Sequence, residues 1–185
     1  MSLFTQYDET TAPSEAAAVL SGAKERYGFV PNLAAYVAES PLVLGAVLKL
    51  SEQFDQSTLT PQEQQLVLLT VSTLNGCSYC KTAHTALGKM ADMSRDTLQA
   101  ILAFKPLSDP RLEALRIFTA TLVEEKGRVD KQKTQAFLNA GFTKAQVFEV
   151  ALGVGLKTIT NYSNHLAGAV PNEEFAGMVG DVLDA

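Results

Sequence analysis

Three residues stand out for the chemistry their spacing allows: Cys77 and Cys80 in the run Cys77-Ser78-Tyr79-Cys80, and His84 four positions further on. The chain has two cysteines and two histidines in all. A lone C-x-x-C in a chain with no other cysteine is more often redox-active or metal-binding than a structural staple. So short a loop restricts the unfolded chain little, which makes stabilisation a poor reason for it. Asn75-Gly76 marks a turn directly before Cys77, and the residues from Ser78 through Leu87 can run as a helix. Cys77 then stands at a helix N-terminus, where free N–H groups and the macrodipole favour a thiolate. Cys80 and His84 are neighbours one turn apart, and all three side chains fall within a sector of about 60°. Two thiols and an acid–base group are the minimum for thiol–disulfide exchange. The dipole favours Cys77 as the more acidic thiol and the imidazole favours Cys80, so the spacing leaves both orders open. The competing reading is a zinc site made of Cys77, Cys80, His84 and the distant His165. Against it, Cys77 and His84 lie about 10 Å apart along a helix axis.

The elements that must position these groups are helical. Pro13, Pro31, Pro41, Pro61, Pro110 and Pro171 each precede an apolar run of helical period, where a helix tolerates proline best. Thr60-Pro61-Gln62-Glu63 and Thr143-Lys144-Ala145-Gln146 read as capping boxes. Alternating strand patterns are absent, so the chain is expected to be all-α, with about eight to ten helices. Laying Leu59–Cys80 over Phe142–Ser163 brings five of 22 positions into identity, among them Thr60/Thr143, Val67/Val150 and Tyr79/Tyr162. The expectation is one all-helical domain over residues 1–185, with the redox motif in 60–90 and a pseudo-repeat of it, lacking the cysteines, in 142–168.

Composition bounds the rest. The 185 residues carry a net charge of −5 with a pI near 5.0 and no dense basic block, which argues against nucleic acid as the partner. The longest apolar run is six residues, Leu33 to Ala38, too short to cross a membrane. Nothing at the N-terminus reads as a secretion signal, so a cytoplasmic location is expected. Charged residues make up only 19%, consistent with surface hidden in a homo-oligomer. No phosphate loop, nucleotide fingerprint or Ser-His-Asp pattern is present, so no cofactor is expected. Met90 and Met93 read as core or gap-filling residues, and His165 as a core histidine or a second polar group near the site.

The segment Leu66–His84, LVLLTVSTLNGCSYCKTAH, resembles the alkyl hydroperoxidase D-like and carboxymuconolactone decarboxylase-like family. Tyr27–Leu33 (YGFVPNL) and Thr160–Leu166 (TNYSNHL) look like flanking segments of its peroxidase-related branch. The resemblance runs from about residue 20 to 175. It implies an internally duplicated all-α fold assembled as trimers or hexamers. It also implies a peroxidase or disulfide reductase taking a hydroperoxide or disulfide substrate and a dithiol or protein reductant. By motif position Cys80 corresponds to the attacking thiolate, Cys77 to the resolving cysteine and His84 to the proton relay. Two positions depart from the pattern. The relay glutamate expected twelve residues before the first cysteine is Gln65, and a relay histidine is replaced by Tyr79. Glu63 is the only acid near Gln65, either standing in for that glutamate or serving as the third member of the capping box. Two other readings remain open: a lyase or isomerase of the decarboxylase kind, and a non-catalytic oligomer whose thiols bind metal or sense redox state.

Overall fold

The structure is a computed structural model, and it describes residues 3–183. Those residues form ten α-helices and no strand: α1 (Ser14–Tyr27), α2 (Asn32–Val37), α3 (Pro41–Asp55), α4 (Pro61–Leu74), α5 (Ser78–Met90), α6 (Arg95–Leu102), α7 (Pro110–Glu124), α8 (Lys131–Asn139), α9 (Lys144–Ala167) and α10 (Glu173–Leu183). The prolines do what their positions imply. Pro41, Pro61 and Pro110 occupy the first turns of α3, α4 and α7, and Pro13 and Pro31 stand immediately before α1 and α2.

Helix α4 is the axis of the molecule. Every residue from Leu66 to Thr73 is buried, as a helix apolar on all sides requires, and α4 packs against α5, α7 and α9. Both capping boxes form, with the hydroxyls of Thr60 and Thr143 accepting from the backbone N–H groups of Glu63 and Gln146. The two segments of the offset alignment therefore begin alike and then part. Helix α4 stops at Leu74, whereas α9 runs on to Ala167, so Tyr79 is buried while its counterpart Tyr162 is exposed. Close approach of α9 to α3 and α4 depends on Gly153. A Cβ there would lie 2.7 Å from the ring of Phe54 and 2.9 Å from Val67 Cγ1.

The principal core joins Phe54, Leu66, Val67, Leu115 and Val150 to a stack of Phe118, Phe137 and Phe142. A second apolar cluster gathers Leu33, Tyr79, Phe175 and Val179 around both cysteines. Met93 is buried, as expected, but Met90 at the end of α5 is 69% exposed. None of the helices among the described residues is long and apolar enough to cross a membrane.

Candidate active site

Helix α4 ends where Asn75-Gly76 turns the chain. Gly76 has φ of +68°, a conformation glycine takes without steric cost. The Cys77 N–H donates back to Ser72 O (3.0 Å), and Cys77 becomes the N-cap of α5, its Sγ accepting from the Cys80 backbone N–H at 3.4 Å. Both cysteines are reduced and buried. His84 follows one turn along α5.

Helix α9 supplies the facing groups, Lys157 and Asn161, themselves one turn apart. Lys157 is only 4% exposed, and its Nζ donates to His84 Nε2 at 2.9 Å. On the other side of the ring, His84 Nδ1–H donates to Gln65 Oε1 at 3.0 Å. This chain of bonds fixes a neutral imidazole with its lone pair toward the ammonium. Burial, with the Lys157 charge adding to it, holds the His84 pKa well below the usual histidine value. Asn161 Oδ1 accepts from Asn75 Nδ2 at 2.9 Å. The buried Asn161 Nδ2 has no nitrogen or oxygen to bond and faces the Cys80 sulfur, whose negative form it favours.

These contacts separate the two thiols. Donation from the Cys77 S–H, the positive charge of Lys157 and the Asn161 amide lower Cys80 to about 6 against the opposing effect of burial. Cys77 is pushed up because its proton is held in the bond to Cys80 and because it is buried. Cys80 is therefore the more acidic of the two thiols. The S–H donation from Cys77 is the largest cause, and a lysine from α9, outside the α5 motif, adds to it. Among the described residues no hydrogen bond joins His84 to either sulfur; the imidazole acts through Lys157.

Cys80, His84 and Lys157 open together onto a cavity of about 170 Å³ walled mainly by Leu33, Val37, Leu44, Leu48, Leu87 and Phe175. Cys77 does not line it. A cavity of about 150 Å³ with apolar walls is large enough for benzene, so this one admits a single-ring or comparably compact organic group. The segments flanking the motif in sequence close its rim. Asn32 N–H and Tyr79 O–H both donate to Asn172 Oδ1 (2.9 and 3.2 Å), and Asn172 Nδ2 donates to Val30 O. Tyr79 is thus an anchor for the C-terminal segment.

Glu63 lies elsewhere. Its carboxylate accepts from the Thr60 N–H and from Arg111 Nε (2.9 and 2.8 Å), completing the capping box, while Gln65 makes the contact to His84. His165 is neither in the core nor at the site; it is exposed on α9 and stacked on Tyr162. The four-residue zinc set is therefore not assembled, and no cluster of three or more metal-ligating side chains occurs among the described residues. Sequence reasoning missed Lys157 and Asn161. One signal was available, because Lys157 is the only Lys, Arg, Asp or Glu between Glu149 and Glu173.

The ten-helix arrangement is an all-α, alkylhydroperoxidase D-like fold. Residues 41–107 match the sequence profile of the carboxymuconolactone decarboxylase family. Among solved structures the chain is similar to an alkylhydroperoxidase AhpD core, a peroxidase-related protein from Ralstonia eutropha JMP134. There the TM-score is 0.86 and the identity 21%, covering 95% of this chain and 94% of that one. A peroxidase-related protein from a Silicibacter species gives 0.77 and 22%, covering 90% of each chain. The debrominase Bmp8, as a cysteine-to-alanine variant in complex with 2,3,4-tribromopyrrole, gives 0.82 and 16% over 98% of each. No curated protein matches the sequence.

Proposed function

We propose that this protein is a thiol-dependent peroxidase acting on compact organic hydroperoxides. The Cys80 thiolate attacks the terminal oxygen of the hydroperoxide, the O–O bond breaks, and Cys80 becomes a sulfenic acid. The Cys77 sulfur then displaces the hydroxyl of that acid, forming the disulfide and, with the Cys77 proton, one water. An external dithiol reduces the disulfide and restores both thiols. The observation that carries this reading is the asymmetry of the pair: Cys80 faces an apolar cavity beside a lysine, while Cys77 sits behind it and keeps its proton. The test is consumption of cumene hydroperoxide with excess small dithiol, comparing wild type, Cys80→Ser and Cys77→Ser. Turnover lost in both variants, with sulfenic acid trapped only where Cys80 remains, supports the assignment. A wild-type rate equal to the blank overturns it.

The ring-sized cavity beside a thiolate also favours a second reading, reductive removal of halogen from a small aromatic, in line with the debrominase neighbour. It is tested by halide release from a brominated pyrrole under the same conditions. Activity on a lactone that survives in a Cys77→Ser, Cys80→Ser double variant would instead support the decarboxylase-like chemistry. We further propose a homo-oligomer. Phe148, Ile159, Tyr162 and Leu166 form an exposed apolar line along α9 at helical spacing, and light scattering of the purified chain gives the mass that checks it.

A further inference from the structure

Lys157 presents a charge-balance problem. It is buried, and none of the ion pairs among the described residues includes it. Its hydrogen-bond partner His84 Nε2 is neutral, and no carboxylate lines the cavity it faces. A buried ammonium needs a counter-charge, and the only group at the site that can carry one is the Cys80 sulfur. That charge is not permanent. When Cys80 attacks a hydroperoxide, its electron pair becomes the new S–O bond and the negative charge leaves on the departing alkoxide, in the same cavity.

We propose that Lys157 is a catalytic residue: it serves as counter-ion to the Cys80 thiolate and then protonates the alkoxide expelled as the O–O bond breaks. The inference rests on the peroxidase reading above. The step balances as hydroperoxide, Cys80 thiolate and Lys157 ammonium giving Cys80 sulfenic acid, alcohol and Lys157 amine. Proton transfer runs downhill, since an alkoxide is a far stronger base than an amine. The lysine recovers its proton from the Cys80 thiol once the external dithiol has reduced the disulfide. His84 and Gln65 are positioning residues in this scheme. Gln65 accepts from Nδ1–H, which leaves the Nε2 lone pair to hold Lys157 toward the cavity. A carboxylate at position 65 would stabilise an imidazolium, whose Nε2–H would repel the ammonium. The amide in place of the expected glutamate and the lysine from α9 therefore belong to one arrangement.

The experiment follows a single turnover of the reduced full-length chain with two oxidants. Cumene hydroperoxide expels a basic alkoxide, whereas peracetic acid expels a carboxylate that needs no proton. Wild type, Lys157→Met and Lys157→Arg are compared at a pH where ultraviolet thiolate absorbance shows Cys80 fully ionised in each. The arginine variant retains the positive charge but is too weak an acid to give up a proton. It also tests the idea if the methionine variant folds poorly. General acid catalysis contributes roughly 10²–10⁴-fold. Both variants are therefore expected to lose on the order of 100-fold with cumene hydroperoxide and less than about tenfold with peracetic acid. Equal losses with the two oxidants, or a Lys157→Arg rate on cumene hydroperoxide matching wild type, would overturn the proposal. If wild-type protein reacts with neither oxidant, the peroxidase reading fails, and the role of Lys157 falls with it.

Discussion

Replacing Gly153 by alanine places a methyl group where α9 crosses α3 and α4. The new carbon would meet Phe54 Cε2 and Cζ at 2.7 and 2.8 Å and Val67 Cγ1 at 2.9 Å. Both neighbours are fully buried, so neither can swing aside into solvent, and the helices must separate. Overpacking of this kind costs about 1–3 kcal/mol, partly offset by a helix-propensity gain of about 1 kcal/mol for glycine to alanine. Gly155, two residues along the same helix, supplies the control: a Cβ there meets nothing within 4 Å, and only the propensity gain remains. The two alanine variants should therefore differ by roughly 2 kcal/mol, or about 4–8 °C in Tm for a chain of this length, with Gly153→Ala the less stable. Gly153 also lies one turn before Lys157 on α9, so the displacement carries the lysine away from Cys80 and slows alkylation of Cys80 near pH 7. Thermal unfolding by circular dichroism and iodoacetamide kinetics read the two effects. A Gly153→Ala protein as stable as Gly155→Ala, alkylated at the wild-type rate, would refute the account of how α9 is seated.

Three other outcomes follow from the same geometry. Asn161→Ala removes the amide that faces Cys80 and should slow alkylation of Cys80 at pH 5 by roughly three- to tenfold, since one hydrogen bond to a charged group is worth about 1.5 kcal/mol or less once water enters. Glu63→Gln should lower the unfolding free energy by about 1–3 kcal/mol, through loss of the buried carboxylate's bond to Arg111. Single-turnover peroxide reduction should be unchanged, and a drop there would restore Glu63 to the relay. His84 stays neutral in the folded protein while its unfolded form protonates near 6.5. As pH falls below that value the unfolded state binds the extra proton, so stability declines by up to about 1.4 kcal/mol per pH unit. Urea unfolding of wild type and His84→Gln from pH 7 to 5 should show a slope that is shallower in the variant.

The helices were legible because their ends are marked by local chemistry. Prolines in first turns and two capping boxes act within four residues, and a reader of the sequence can see them. Cys77 as a helix N-cap was legible for the same reason. The partners of Cys80 were not, because Lys157 and Asn161 come from a helix remote in sequence, and helix α9 is apolar on its outer face as well as its inner one. That two-sided pattern hides which of its polar residues point inward, so His165 read as a core histidine or a polar group near the site although it is exposed, while Lys157 went unread. Glu63 was ambiguous by sequence because a capping glutamate and a relay glutamate occupy the same kind of position. Only the placement of Arg111 separates the two. The choice between the thiols was open for a related reason: the α5 dipole and His84 are both local features, whereas the Lys157 charge that helps the Cys77 hydrogen bond to lower Cys80 is not.

In the proposed mechanism Cys80, paired with Lys157, is the thiolate of the site and Cys77 holds the proton. This assignment is tested most directly by pulse alkylation of the reduced protein with iodoacetamide across pH 4–9, with each cysteine quantified by peptide mass spectrometry. The account predicts that Cys80 is labelled first, with a half-maximal rate near pH 6, and that Cys77 remains largely unlabelled to the top of the range. Preferential labelling of Cys77 at neutral pH, or two cysteines titrating together near the ordinary thiol value of about 8.5, would contradict it.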